Sequence, residues 1–269
     1  MRTLVHLSDL HFGRIDSALL APLEAVIQRI RPDVVVVSGD LTQRARKSQF
    51  MQAKAFLDRL PRPQVVVPGN HDIPLYNIVE RMGAPLRKFR RYVESDLSPA
   101  FVDDEVMVLG VNTARSAVVK GGRVNVAQLR ALSERFCAAD KAIVKVLVSH
   151  HPFDVGPGDD ESDIIGRAGA AMQVMAECGV DVLLAGHLHT SRAASTGTRY
   201  AVGGYEALVV SAGTATSTRG RGEANAFNVL QLCKARVDVQ RFEWNSPSRQ
   251  FGPGLCERFE RTPEGWRCS

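Results

Sequence analysis

The run Val34-Val35-Val36-Val37 constrains this chain more than any other feature, because four consecutive β-branched residues leave no polar face. A strand apolar on both sides needs cover on both, which a parallel sheet between other layers supplies. Similar short apolar runs occupy residues 3–7, 65–67, 106–111, 143–148 and 182–185. Between runs, residues 19–30, 50–60, 126–136 and 164–178 repeat their apolar positions at helical spacing. The alternation predicts βαβ units over the first two-thirds of the chain. After Gly186 the character changes. Residues 192–200, 207–211, 227–232 and 237–244 read as strands separated by Gly-rich turns, with no helical pattern between them. An α/β (α+β) fold follows, with a parallel first half and an antiparallel second half forming two sheets packed face to face. Residues 245–269 are polar and interrupted by Pro247, Pro253 and Pro263. They are expected to be a surface tail beside a domain spanning residues 1–244.

A length of 269 residues with 45% hydrophobic content is enough to bury a core without disulfides. The net charge of +5 favours anionic partners but falls short of a nucleic-acid-binding footprint. Cys137, Cys178, Cys233, Cys256 and Cys268 are scattered and never form Cys-x-x-Cys. That pattern argues against a disulfide framework and for a reducing cytoplasm. No apolar stretch is long enough to span a membrane, so no membrane partner is expected.

The chemistry lies where the apolar runs end. In order, these ends read Ser8-Asp9-Leu10-His11, Ser38-Gly39-Asp40, Gly69-Asn70-His71-Asp72, Ser149-His150-His151-Pro152 and Gly186-His187-Leu188-His189. Loops leaving the carboxyl ends of parallel strands converge on one edge of the sheet, where ligands bind. A single Asp or His at a strand end is more often a turn or cap residue than a ligand. Five such ends in succession, all with oxygen and imidazole donors and no thiolate, instead describe a site for Mn, Fe or Zn.

These five blocks resemble the calcineurin-like metallophosphoesterases, whose pattern is Asp-x-His, Gly-Asp, Gly-Asn-His-Asp/Glu, His before His-Pro, and Gly-His-x-His. The form is most similar to the bacterial branch of cyclic-nucleotide and glycerophosphodiester phosphodiesterases. The resemblance implies a four-layer αββα sandwich of two mixed sheets flanked by helices. It also implies a binuclear metal centre. One ion would be held by Asp9, His11, Asp40 and His189, the other by Asp40, Asn70, His150 and His187, with Asp40 bridging. The implied reaction is attack of a hydroxide shared by the ions on the phosphorus of a small anionic phosphoester, most simply a diester. A phosphomonoesterase, a nuclease and a non-catalytic scaffold are the alternatives.

His71 would reach the substrate, as a leaving-group acid or a phosphoryl hydrogen-bond donor. Two roles are open to Asp72: orienting the His71 ring, or N-capping a helix before Ile73-Pro74. His151 would then either support the ligands from behind or stand on the pocket wall. The basic residues Arg81, Arg87, Lys88, Arg90 and Arg91 form either a substrate-attracting cap or a solvated helix face. The acidic stretch of residues 156–161 follows the His-His-Pro block and would repel a polyanion, counting against nucleic acid. No Lys or Arg lies inside the five blocks, Arg14 and Arg44 being nearest, which favours a singly charged diester. Ser211-Ala212-Gly213-Thr214 stands where relatives often carry Asn-Pro-Gly-Ser.

Overall fold

A computed structural model of the chain describes all residues except 157, 158, 197, 198, 201, 220, 221, 263 and 264. The Pro157-Gly158 step of the acidic loop and Pro263 therefore lie outside the described residues. The chain opens with β1 (Arg2–Leu7), α1 (Leu20–Ile30), β2 (Val34–Ser38), α2 (Lys47–Leu57) and β3 (Gln64–Val67). Two short helices follow, α3 (Ile78–Gly83) and α4 (Arg87–Tyr92), then β4 (Ala100–Val102), β5 (Val106–Gly110) and α5 (Val126–Ala138). The next elements are β6 (Val144–Val148), α6 (Ala168–Cys178), β7 (Val182–Ala185), β8 (Arg192–Ser195) and β9 (Leu208–Ser211). The chain closes with β10 (Ala226–Cys233), β11 (Arg236–Asn245), β12 (Gln250–Thr262) and β13 (Gly265–Cys268).

The strands form two sheets, one ordered β13-β12-β11-β10-β1-β2-β3 and the other β4-β5-β6-β7-β9-β8. Parallel and antiparallel pairing are not divided between the halves of the chain, as the sequence suggested. Each sheet mixes them: β1, β2 and β3 are parallel to one another, and β10 joins β1 antiparallel. In the second sheet β5, β6, β7 and β9 run parallel, with antiparallel β4 and β8 at the edges.

Side-chain alternation sorts the core into three interfaces, as four layers require. Leu4, Val34, Val36, Val65 and Val67 of the first sheet pack against Val106, Val144, Val146 and Val182 of the second. The intervening Val5, Val35, Val37 and Val66 face Leu23, Ile27, Phe50 and Phe56 of α1 and α2. On the far side, Leu109, Leu147 and Leu183 meet Leu132, Phe136, Met172 and Met175 of α5 and α6. The valine run is thus apolar on both faces because helices cover one and a second sheet the other.

Two expectations are corrected. Residues 245–269 are not a surface tail: β12 pairs with β11, and β13 with β12. They bury Phe251 under the helices and Phe259 and Trp266 between the sheets. Pro253 is tolerated within β12 because the register shifts beside it, between Gln240 and Phe242, where a missing N–H costs little. Second, Cys137 and Cys178 form a disulfide joining α5 to α6, whereas Cys256 and Cys268 are free and exposed. The cytoplasmic expectation, which rested on scattered thiols, loses that support. Among the described residues no helix is long and apolar enough to cross a membrane.

Candidate metal centre

The strand ends meet at the carboxyl edge of both sheets. Asp9 and His11 follow β1, Asp40 follows β2, and Asn70 to Asp72 form a single 3-10 turn after β3. His150 and His151 follow β6, and His187 and His189 follow β7. Asp9, His11, Asp40, His187 and His189 all have positive φ, between 49° and 69°. That region is costly for residues with a Cβ and is held only where the surroundings enforce it. Here the β1 and β2 loops enforce it by pairing, His11 N–H donating to Asp40 O at 2.9 Å. Close approach demands glycine at two points. A Cβ on Gly69 would run into the Asp40 carboxylate, and one on Gly186 into Ser8 and Asp9.

Each aspartate spends one oxygen on the fold. Asp9 Oδ2 accepts from Ser8 Oγ (2.6 Å) and from the His187 N–H (3.0 Å). Its Oδ1 is buried without a hydrogen-bond partner, 3.1 Å from His189 Nε2 and 3.4 Å from His11 Nε2. Asp40 Oδ1 accepts from the His71 N–H at 2.8 Å and lies 3.5 Å from His150 Nε2, while Oδ2 lies 3.7 Å from His11 Nε2. The two oxygens of Asp40 therefore face two different imidazole groups.

The imidazoles are anchored so that one nitrogen stays free. His150 Nδ1 donates to Ser38 O at 2.8 Å, and His189 Nδ1 lies 3.3 Å from Arg219 O. His150 Nε2 then faces Asn70 Oδ1 at 3.1 Å, with the Asn70 amide NH₂ donating to Val119 O. His11 and His189 bring their Nε2 atoms within 3.3 Å of each other. The lone pair of His150 Nε2 turned toward the Asn70 amide oxygen, and a buried carboxylate oxygen of Asp9 without a donor, leave an acceptor excess that cations satisfy. Hard oxygen and borderline imidazole donors fit divalent ions of the Mn, Fe and Zn kind. Two donor groups emerge, Asp9/His11/Asp40/His189 and His150/His151/His187.

His151 is a poor member of the second group, because both its ring nitrogens are occupied. Nδ1 is 2.8 Å from Thr113 Oγ1 and Nε2 is 2.7 Å from Lys120 O. It is fully buried beside His150 and His187, with ring centroids 4.8 and 4.7 Å from theirs. His187 has Nε2 3.4 Å from Asp163 Oδ1, which leaves Nδ1 available. Burial, then the neighbouring His150, lowers the His187 pKa to about 4, keeping its ring neutral. Burial alone would raise Asp9, but His11 and His189 outweigh it and hold the carboxyl well below the usual range. Asp40 is likewise lowered, by His150, His11 and His71 acting against burial.

Asp72 takes neither role anticipated for it. Its carboxylate accepts from the backbone N–H groups of Leu41 (3.2 Å), Thr42 (2.9 Å) and Gly69 (3.0 Å), so it braces the β2 and β3 loops together. Burial, then Asp40, pushes its pKa up to about 6. The His71 ring is instead held by a carbonyl: Nδ1 donates to Gln43 O at 3.0 Å, and Nε2 accepts from Arg219 Nη1 at 2.9 Å.

Arg219 and Lys120 are the residues that sequence reasoning missed. With Asp40, Asn70, His71, Asp163, His187 and His189 they line a cavity of about 170 Å³. Cations therefore do reach this cavity, from positions outside the five motifs. Burial lowers the Arg219 pKa, with Arg14 and Arg44 adding repulsion and Asp40 and Asp9 opposing it. Of the basic segment, Arg81 is buried and donates to Pro74 O and Val118 O, so it fastens the loop instead of facing solvent. Arg87 and Lys88 pair with Glu80.

Residues 2–191 match the family model of the calcineurin-like phosphoesterases. The chain belongs to that family, and it is a phosphoric ester hydrolase. It is 26% identical over 203 residues to the 3',5'-cyclic adenosine monophosphate phosphodiesterase CpdA of Escherichia coli, covering 69% of each chain. It is 34% identical over 80 residues to the glycerophosphodiester phosphodiesterase GpdQ of Enterobacter lignolyticus, covering 26% of this chain and 29% of that one. Its fold is similar to a purple acid phosphatase from yellow lupin seeds, with a TM-score of 0.71 at 12% identity, covering 95% of this chain and 53% of that one. A dimetal phosphatase from Danio rerio matches with a TM-score of 0.65 at 15% identity, covering 88% and 95%.

Proposed function

We propose that the chain hydrolyses a small phosphodiester at a centre of two divalent ions, drawn from Mn, Fe and Zn. Asp9, His11, Asp40 and His189 would hold one ion, and Asp40, Asn70, His150 and His187 the other. The observation that carries this reading is Asp40, whose Oδ1 lies toward His150 and Oδ2 toward His11, as a carboxylate shared by two ions would lie. When bound, such ions supply Lewis acidity, polarising a phosphoryl oxygen and acidifying water toward neutral pH. The protein's own part is to hold those donors in place and to present cations to the phosphate. Arg219, donating to His71 Nε2, is set to hydrogen-bond a phosphoryl oxygen in the cavity that both residues line. The preference for a diester rests on the phosphodiesterase names of the two curated relatives and not on a lack of cations.

A substrate panel with Mn-loaded protein tests the reading. At moderate salt, kcat/KM for bis-p-nitrophenyl phosphate is expected to exceed that for p-nitrophenyl phosphate and for a labelled oligonucleotide. A monoester preference would move the chain to the phosphatases, and efficient cutting of the oligonucleotide to the nucleases.

A further inference from the structure

Beside the cavity lined by Asp40, His187 and His189 lies a second one of about 180 Å³, and the two share Asn70, His71, Lys120 and Arg219. The walls differ in charge. Asp40 and Asp163 line only the first cavity, while among the described residues no Asp or Glu lines the second. Arg44 enters there, joining Lys120 and Arg219 over an apolar floor of Ile73, Leu75 and Val119. Arg81 also lines this cavity, but its guanidinium is spent on the carbonyls of Pro74 and Val118. Arg44 has a lighter engagement, one 3.3 Å contact to the Gln43 carbonyl and a position 5.8 Å from the Tyr76 ring centroid. The four cationic side chains around this small cavity, Arg44, Arg81, Lys120 and Arg219, repel one another, and an anion placed among them relieves that repulsion.

We propose that this second cavity receives a second anionic group, carried on the arm of the substrate that keeps its bond to phosphorus. Resting on the phosphodiesterase reading, this names the substrate class: a small diester with one alcohol arm ending in a phosphate, phosphonate or carboxylate. Arg44 is then a specificity residue that never touches the reacting phosphate. Lys120 and Arg219, at the boundary of the two cavities, serve both groups. The apolar floor accommodates the short carbon chain between the two anions.

Three matched substrates test it with Mn-loaded full-length protein: the propyl, 2-carboxyethyl and 2-phosphonoethyl esters of p-nitrophenyl phosphate. The two anionic esters are expected to show kcat/KM about tenfold above the propyl ester, the scale of one charge-assisted hydrogen bond. Arg44→Gln should remove most of that advantage, through KM. No advantage in the wild type overturns the proposal. So does an Arg44→Gln loss that is equal for all three esters, since the cations would then only steer anions in general. If none of the three esters is hydrolysed, the phosphodiesterase reading fails by itself, and calorimetric binding decides the cavity separately. Ethane-1,2-bisphosphonate should then bind the wild type about tenfold tighter than ethylphosphonate, and Arg44→Gln should abolish the difference. Equal binding of the two phosphonates to the wild type overturns the second anion site.

Discussion

The two sheets contribute unlike chemistry to one centre. The seven-stranded sheet delivers both carboxylates, Asp9 and Asp40, together with His11, Asn70 and His71, from the ends of β1, β2 and β3. The six-stranded sheet delivers imidazoles, His150, His187 and His189, from the ends of β6 and β7. Both carboxylates therefore come from one layer, and the other contributes imidazoles alone. Neither layer alone offers a complete ligand set, so the packing of Val36, Val67, Val146 and Val148 between the sheets is also what brings the donors together. Asp40 is the residue that spans the division, facing His11 of its own sheet and His150 of the other.

The largest expected effect is the loss of all activity when the ions are removed. Chelator-stripped protein should be inactive and recover with Mn, and with Co or Zn, because no Ser, Thr or Cys is among the described residues that line the cavity. Full turnover in protein shown by elemental analysis to be metal-free would end the proposal for both sheets at once. The next effect separates the layers. Asp40→Ala should leave at most one ion bound, with a loss of affinity beyond the roughly 10–100-fold typical of losing a ligand's supporting partner. His187→Ala should keep the ion held by Asp9, His11 and His189. An Asp40→Ala variant that still binds one ion with wild-type affinity would show that the carboxylate is not shared.

A smaller effect is expected at His71, which belongs to the anionic sheet without holding an ion. His71→Ala should retain both ions and lower kcat on the order of 10²–10⁴-fold. Because Nε2 accepts from Arg219 and carries no proton there, the loss should be equal for good and poor leaving groups. A loss that grows with leaving-group pKa would instead identify His71 as the acid.

The smallest effect lies between the sheets. His6 shares a face of β1 with Leu4, is fully buried, and makes a 2.9 Å contact from Nε2 to Ser38 Oγ. Burial lowers its pKa to about 3. The unfolded chain takes up this proton below its ordinary value near 6.5, while the folded chain does not. Stability from His6 is therefore present above about pH 6.5 and lost progressively as pH falls toward 3, at about 1.4 kcal/mol per unit. Denaturant titrations between pH 6.5 and 5 should show a shallower loss for His6→Gln than for the wild type. Equal slopes would mean that the ring is protonated in the fold.

What could be read from the sequence was local. Strands covered on both sides carry continuous apolar runs, and the polar residues fall just past the strand ends, so the sequence already pointed to Asp9, His11, Asp40, His150, His187 and His189, which the fold brings together at one edge. What failed depended on distant partners. Arg219 reaches His71 across 148 residues, from a Gly-rich stretch with no motif. The cysteines of the disulfide are 41 residues apart, on helices whose packing the sequence does not state. Asp72 braces Leu41 and Thr42, a contact no spacing rule describes. The last hairpin was hidden by its prolines, because local β-propensity undervalues a strand that tolerates proline at an irregularity in its pairing.

The position of β1 inside its sheet has a consequence for how the molecule is made. One neighbour, β2, is synthesised at once, but the other, β10, follows much later: Thr3 Oγ1 bonds to Gln231 across 228 residues. The loop carrying Asp9 and His11 waits equally long, for the N–H of Ala215 to reach Ser8 O and for Thr216 Oγ1 to reach Leu10 O. While the chain is on the ribosome, β1 therefore presents an unpaired edge until most of the protein has emerged. Such an edge is a template for pairing with other chains. Ribosome-bound intermediates should thus be prone to association until β10 docks, and the aspartates can close around an ion only after that late event.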